Sequence, residues 1–136
     1  MGHIPPKLRQ KLAVNPFYGL CARQEALHDH ECQPDPLTGR LIEWEHAMMH
    51  AGKQINAEWA ILPLCWYVHR GPGLIKKINE WIALNRATDT EIVDISRAQD
   101  YFLYRAGLNK MYGPYTAPKL PETVGINYGR EYSSRV

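Results

Sequence analysis

A chain of 136 residues, 45% of them hydrophobic, has the material for one domain with a modest core and does not read as a disordered tail. Lysine and arginine exceed aspartate and glutamate by only 16 − 14 = 2, so bulk charge is a weak argument for a nucleic-acid partner, which must be argued from a site. No run approaches the roughly 18 apolar residues of a membrane span, and MGHIPPKLRQKL lacks the apolar core of a signal peptide, so a cytoplasmic protein with no membrane partner is expected.

Three cysteines, Cys21, Cys32 and Cys65, are an odd set, which argues against a disulfide framework in a reducing compartment. They are expected as buried thiols or as metal ligands. After Pro5 and Pro6, Leu8, Leu12 and Val14 fall near helical spacing over Lys7 to Val14, and Asn15-Pro16 stops the segment. Cys21 to Gly39 is rich in charge, histidine and turn residues, with a turn at Pro34-Asp35-Pro36-Leu37-Thr38-Gly39. A strand over Arg40 to His46 follows.

The apolar run Trp59 to Cys65 contains Pro63, which suits an edge strand or an extended lead into a helix rather than a central strand. Leu74, Ile75, Ile78, Trp81, Ile82 and Asn85 then share one face of an amphipathic helix that starts near Gly71-Pro72-Gly73. Thr88-Asp89-Thr90-Glu91 has the form of a capping box, opening a second helix with Ile92, Ile95, Phe102, Leu103 and Ala106 on its apolar face and Gly107 or Gly113 at its end. The remainder, with Pro114, Pro118, Pro121, Gly125 and Gly129, shows no periodicity and is expected to wrap the surface or reach a partner. Trp44, Trp59, Trp66, Tyr67 and Trp81 read as core rather than as base-stacking platforms.

Chemistry concentrates between Glu45 and His69, which are 69 − 45 = 24 residues apart: a Glu45-His46 pair at a strand end, Asn56 in the following loop, and Cys65-Trp66-Tyr67-Val68-His69 after the apolar run. This pattern resembles the HNH nuclease family of phage and prophage genomes, whose ββα-metal motif places an acidic residue and a histidine on a first strand, an asparagine in the loop and a last histidine on the helix. The resemblance covers roughly Cys21 to Arg70. It implies an α+β fold with a small ββα-metal, treble-clef-like core, to which the helical periodicities add an N-terminal helix and two C-terminal helices. One domain over 1–136 is expected, with the motif core at about 17–86 and an extension at 87–136.

The resemblance also implies a DNA endonuclease with His46 and Asn56 catalytic, and with Mg²⁺ or Mn²⁺ held by Glu45 and His69. The products would end in 5′-phosphate and 3′-hydroxyl. Residue chemistry agrees: phosphodiester hydrolysis needs a base for water and a cation for developing charge, and a neutral imidazole serves as base near neutral pH. Glu43 is an alternative ligand, because it shares a strand face with Glu45, whereas His46 converges with them only if the strand ends, twists or bulges there. Asn56 reads equally as a turn cap or as the group that holds His46.

In zinc-bearing relatives two Cys-x-x-Cys pairs hold a structural ion, but here Gln24 and Val68 stand at the second position of each pair. Cys21, Cys32 and Cys65 still make a four-ligand Zn²⁺ site if His30 or His28 joins them; the other reading is three inert thiols. His50 reads as a surface or substrate-side histidine. Arg40, Lys53 and Arg70 are candidates for DNA phosphate contacts, against an ordinary solvated surface. Two other functions fit the same residues: a homodimeric HNH enzyme resolving branched DNA such as Holliday junctions, built on a long helix from about Thr88 to Gly107, and a non-catalytic zinc-supported DNA-binding module.

Overall fold

In the computed structural model, which describes residues 3–50, 52–93 and 98–115, the N-terminal helix is α1 (Pro6–Ala13). Pro6 stands at its first position, where a missing N–H is harmless. Asn15 then accepts the Phe17 N–H on its side-chain oxygen at 3.0 Å and starts a 3-10 turn over Pro16–Gly19. A second helix, α2 (Ala22–Leu27), lies inside the stretch expected to be turns. Six residues are too few to display a helical period, and His28 closes the helix in the left-handed region, at φ 49°.

The expected strand is β1 (Ile42–His46), which pairs antiparallel with β4 (Ile61–Cys65) in unbroken register from Ile42 opposite Cys65 to His46 opposite Ile61. Pro63 sits opposite Trp44; among the described residues β4 has no second strand neighbour, so the missing N–H disturbs no further ladder there. Between these strands, β2 (Met49–His50) and β3 (Lys53–Gln54) form a separate small antiparallel pair, and Gly52 in its turn takes φ 79°. A 3-10 turn over Glu58–Ala60 feeds β4, and Cys65, the last residue of β4, is also the N-cap of α3 (Trp66–His69).

Ile61, Leu62, Leu64 and Cys65 are each 0% exposed, because β4 packs against the Pro16–Gly19 turn and α2 as well as against α4 (Lys76–Arg86). At about 1.5–3 kcal/mol for each large apolar side chain, this strand is a principal source of core stability. Trp44, Trp59 and Trp81 are core residues, as their composition suggested, and the Trp44 indole N–H donates to the Tyr18 carbonyl at 3.0 Å.

Ile78, Trp81 and Ile82 are the buried face of α4. Leu74 and Ile75, expected on that face, are exposed instead: Ile75 is the N-cap and still extended, so the helical period begins only after it. The Thr88 capping box is present in reciprocal form, with Thr88 N–H donating to Glu91 Oε1 at 2.8 Å and Glu91 N–H to Thr88 Oγ1 at 3.2 Å. It opens α5 (Asp89–Val93), and α6 (Ala98–Tyr112) is a separate helix that runs past Gly107 to Gly113, at φ 91°.

Arg105 donates to Asp89 Oδ1 at 3.0 Å across 16 residues of sequence, so α5 and α6 pack on each other rather than forming one helix from Thr88 to Gly107; Ile95 and the proline-containing tail beyond Tyr115 lie outside the described residues. Leu108 rather than Leu103 is buried, because polar contacts fix how α6 docks. Tyr104 donates to Glu80 at 2.5 Å, the Trp81 indole donates to Asn109 Oδ1 at 2.7 Å, and Asn85 and Asn109 pair amide to amide. Among the described residues no helix is long and apolar enough to cross a membrane.

Arg86 ties α4 to the lead-in of β4. Its guanidinium donates to the carbonyls of Glu58 and Ile61 at 3.1 Å and of Trp59 at 3.4 Å, and lies 4.1 Å from the Phe17 ring centroid. Arg86→Ala strips one shared donor from three carbonyls, and a loss of about 3 kcal/mol in urea unfolding is expected. A loss below about 0.5 kcal/mol would mean that water replaces the guanidinium there without penalty.

Candidate metal and catalytic sites

Four side chains from separate parts of the chain meet beneath α3. Cys21 is the N-cap of α2, His30 and Cys32 lie in the loop after that helix, and Cys65 joins β4 to α3. His30 Nε2 is 3.8 Å from Cys21 Sγ, 3.6 Å from Cys32 Sγ and 3.3 Å from Cys65 Sγ, and the four ligand atoms lie within 4.8 Å of one another. This group could hold a metal ion. His28, the other candidate fourth ligand, is the left-handed C-cap of α2 and is not among the four converging side chains, so the set is completed by His30.

The surroundings suit such an ion. His30 Nδ1 is 2.8 Å from Asp29 Oδ1, so Nε2 is the nitrogen turned to the sulfurs. Burial of Asp29 is outweighed by its hydrogen bonds from His30 and Arg23, which hold its carboxyl below the usual range. Hydrogen bonds from Cys21 and Cys32 push the Cys65 thiol down toward the thiolate that a metal requires, while the same crowding pushes Cys32 up. The His30 ring stacks on Tyr67, 5.9 Å between centroids and 23° between planes.

Gly73 packs on the other residue of that stack: a Cβ at position 73 would lie within 2.4 to 2.6 Å of two Tyr67 ring carbons, a clash whose relief the His30 contact opposes. Gly73→Ala is expected to lower stability by roughly 1–3 kcal/mol, measured by thermal denaturation in excess Zn²⁺. An unchanged midpoint would show that Tyr67 has room to move.

Above α3, His69 Nδ1 meets Glu43 Oε1 at 2.6 Å, so the carboxylate in contact with His69 is Glu43 rather than Glu45. Arg70 bridges Glu43 and Asp35 through its guanidinium. Burial of Glu43 is outweighed by the hydrogen bonds from Arg70 and His69, which keep its carboxyl below the usual range. Arg70 is thus neutralised by two carboxylates, which makes it a brace for His69 more than a phosphate contact. Glu43 fixes the ring and leaves His69 Nε2 for another partner.

Glu45 shares a strand face with Glu43 but turns toward α4, where Asn79 Nδ2 lies 3.4 Å from its Oε2. Burial pushes the Glu45 carboxyl up to about 7; Lys76 lowers it, and Glu80 and Glu43 add to the rise. At neutral pH a carboxyl so placed is poised between its two forms, and positive charge beside it favours the ionised one. The Asn79 Oδ1 is buried and has no hydrogen-bond partner among the described residues.

His46 is the last residue of β1, opposite Ile61 in a ladder without a bulge, so the end of the strand is what would let its side chain depart from strict alternation with Glu45. Its Nε2 is 2.6 Å from Asn56 Oδ1. His50 faces α6, with Nδ1 3.2 Å from the Tyr101 hydroxyl, and Arg40 and Lys53 are exposed. The structure therefore pairs His46 with Asn56, His69 with Glu43 and Glu45 with Asn79. Sequence reasoning missed Asp29, Arg23 and Asn79; for Asn79 the available signal was an amide between Ile78 and Trp81, on the buried side of an apolar helix.

No family model, curated protein or solved structure matches the chain.

Proposed function

We propose that this protein is an HNH-type, divalent-metal-dependent DNA endonuclease with a structural Zn²⁺ at Cys21, His30, Cys32 and Cys65. The observation that carries the reading is the 2.6 Å contact between His46 and Asn56. An amide oxygen only accepts hydrogen bonds, so Asn56 holds the proton on His46 Nε2 and leaves Nδ1 with a lone pair, the form a general base needs. The pair lies at the surface, where a polymer reaches it. A paired β1–β4 hairpin running directly into a helix that begins at Cys65 and ends at His69 supports the same assignment.

In this mechanism His46 Nδ1 takes the proton from a water whose oxygen attacks phosphorus, the P–O3′ bond breaks, and solvent protonates the departing oxygen. Asn56 holds the imidazole in line. Glu43, braced by Arg70, holds His69, and Glu45 supplies the hard oxygen donor. A divalent cation bound by Glu45 and His69 would supply charge stabilisation at the phosphate and the leaving oxygen. Arg40 and Lys53, both exposed, would contact backbone phosphates in this reading.

The test is incubation of purified protein with linear, nicked, single-stranded and four-way DNA, with Mg²⁺ or Mn²⁺ and with neither. Cleavage is expected only with the ion, with 5′-phosphate at the new ends. Preference for four-way DNA would select the branched-DNA enzyme. Binding without cleavage of any substrate would leave the zinc-supported binding module in its place.

A further inference from the structure

Asn79 stands in the middle of α4, is 1% exposed, and has Ile78, Trp81 and Ile82 as buried neighbours along the helix. Leucine would fill that volume with no polar group to desolvate. The amide is poorly satisfied. Nδ2 has two contacts, Glu45 Oε2 and the Val68 carbonyl, both at 3.4 Å and so at the outer limit of hydrogen-bond geometry. Oδ1 has no partner among the described residues. A buried acceptor without a donor, on an amide whose nitrogen touches a half-buried carboxylate, is an arrangement that a shared cation relieves once the amide turns its oxygen to that carboxylate.

We propose that Asn79 is a ligand of the divalent cation at the Glu45–His69 site, delivering its side-chain oxygen from α4. This rests on the nuclease reading for the identity of the site. It adds to that reading a ligand from α4, beyond the Cys21 to Arg70 stretch that resembles the family. The placement is apt because one amide touches both Glu45 on β1 and Val68, the residue before His69 on α3. A half-turn of the amide about its last side-chain bond exchanges nitrogen and oxygen within the same volume, so this side chain can donate to a lone carboxylate or share a cation with it. A carboxylate, a carboxamide oxygen and an imidazole make a mixed oxygen and nitrogen donor set suited to Mn²⁺ or Mg²⁺ and leave further positions for water and phosphate.

The test reads Mn²⁺ binding without DNA. Calorimetric titration of the zinc-loaded protein is compared for wild type, Asn79→Leu, Asn79→Asp, Glu45→Gln and His69→Ala, and paramagnetic broadening of the Asn79 side-chain amide signals is followed in wild type. Asn79→Leu should weaken Mn²⁺ by at least ~10-fold, with a thermal midpoint no lower than wild type in the absence of Mn²⁺. Asn79→Asp, which keeps an oxygen donor, should bind Mn²⁺ at least as tightly as wild type. The Asn79 amide should broaden at the lowest Mn²⁺ additions.

Unchanged affinity in Asn79→Leu, or an Asn79 amide that stays sharp while His69 broadens, overturns the proposal. The second result decides even if the leucine variant does not fold. Weakened Mn²⁺ binding in Glu45→Gln and His69→Ala but not in Asn79→Leu removes Asn79 alone. Asn79-dependent binding in a protein that cleaves no DNA supports the cation site and removes the nuclease reading. A wild type that binds no Mn²⁺ removes both.

Discussion

Removing metal from the zinc-loaded protein with a strong chelator is expected to abolish its cooperative thermal unfolding, and restoring Zn²⁺ should bring it back. Structural Zn²⁺ sites contribute apparent binding energies of ~10–16 kcal/mol, while a domain of ordinary size is stable by only ~5–15 kcal/mol. Here the ligands also tie together separate parts of the chain. Cys21 anchors α2, His30 and Cys32 fix the irregular loop that follows, and Cys65 joins β4 to α3. Cys21 and Cys65 belong to the hydrophobic core, so three uncoordinated thiols and an imidazole packed together there would loosen the core itself.

Cys65→Ser should reproduce the effect of chelation, since it removes a fully buried sulfur ligand at the junction of β4 and α3. Circular dichroism with zinc analysis on the same samples measures both quantities. A zinc-free protein that melts at the zinc-loaded temperature would identify the cysteines as inert buried thiols.

His46→Ala is expected to lower the DNA cleavage rate by ~10²–10⁴-fold, about 3–5 kcal/mol of barrier, with little change in DNA affinity. Alanine removes the proton acceptor and leaves Glu45, Glu43, His69 and the Cys/His centre as they are. His46 is partly exposed and its one side-chain partner is the exposed Asn56, so the melting temperature should barely move. His69→Ala differs in kind: it removes a proposed ligand, so added Mn²⁺ should recover part of its activity but none of that lost in His46→Ala. Single-turnover cleavage across a Mn²⁺ series separates the two. Near wild-type cleavage by His46→Ala in any divalent ion would remove His46 from the mechanism.

Local signals were legible where a few neighbouring residues decide the structure. The Pro6 start of α1, the Asn15 stop, the Thr88–Glu91 capping box, the alternation from Ile42 to His46 and the helical face at Ile78, Trp81 and Ile82 each depend on contacts within one or two turns or along one strand. Residue type also narrowed the candidate metal centre: three cysteines and a nearby histidine are a tetrahedral donor set, but whether the cysteines converge or stand as separate buried thiols, and whether His28 or His30 joins them, needed the fold.

Tertiary structure decided what spacing left degenerate. A period of two puts Glu43 and Glu45 on one face of β1 equally, and the course of α3 after Cys65 is what brings His69 to Glu43. Arg70 looked like a phosphate contact until Asp35, 35 residues away in sequence, came to share its guanidinium with Glu43. The burial of Asn79 beside Glu45 depends on how α4 docks across the sheet. These pairings join residues far apart in the chain, and their geometry is fixed by loop paths and packing that no short window of sequence contains.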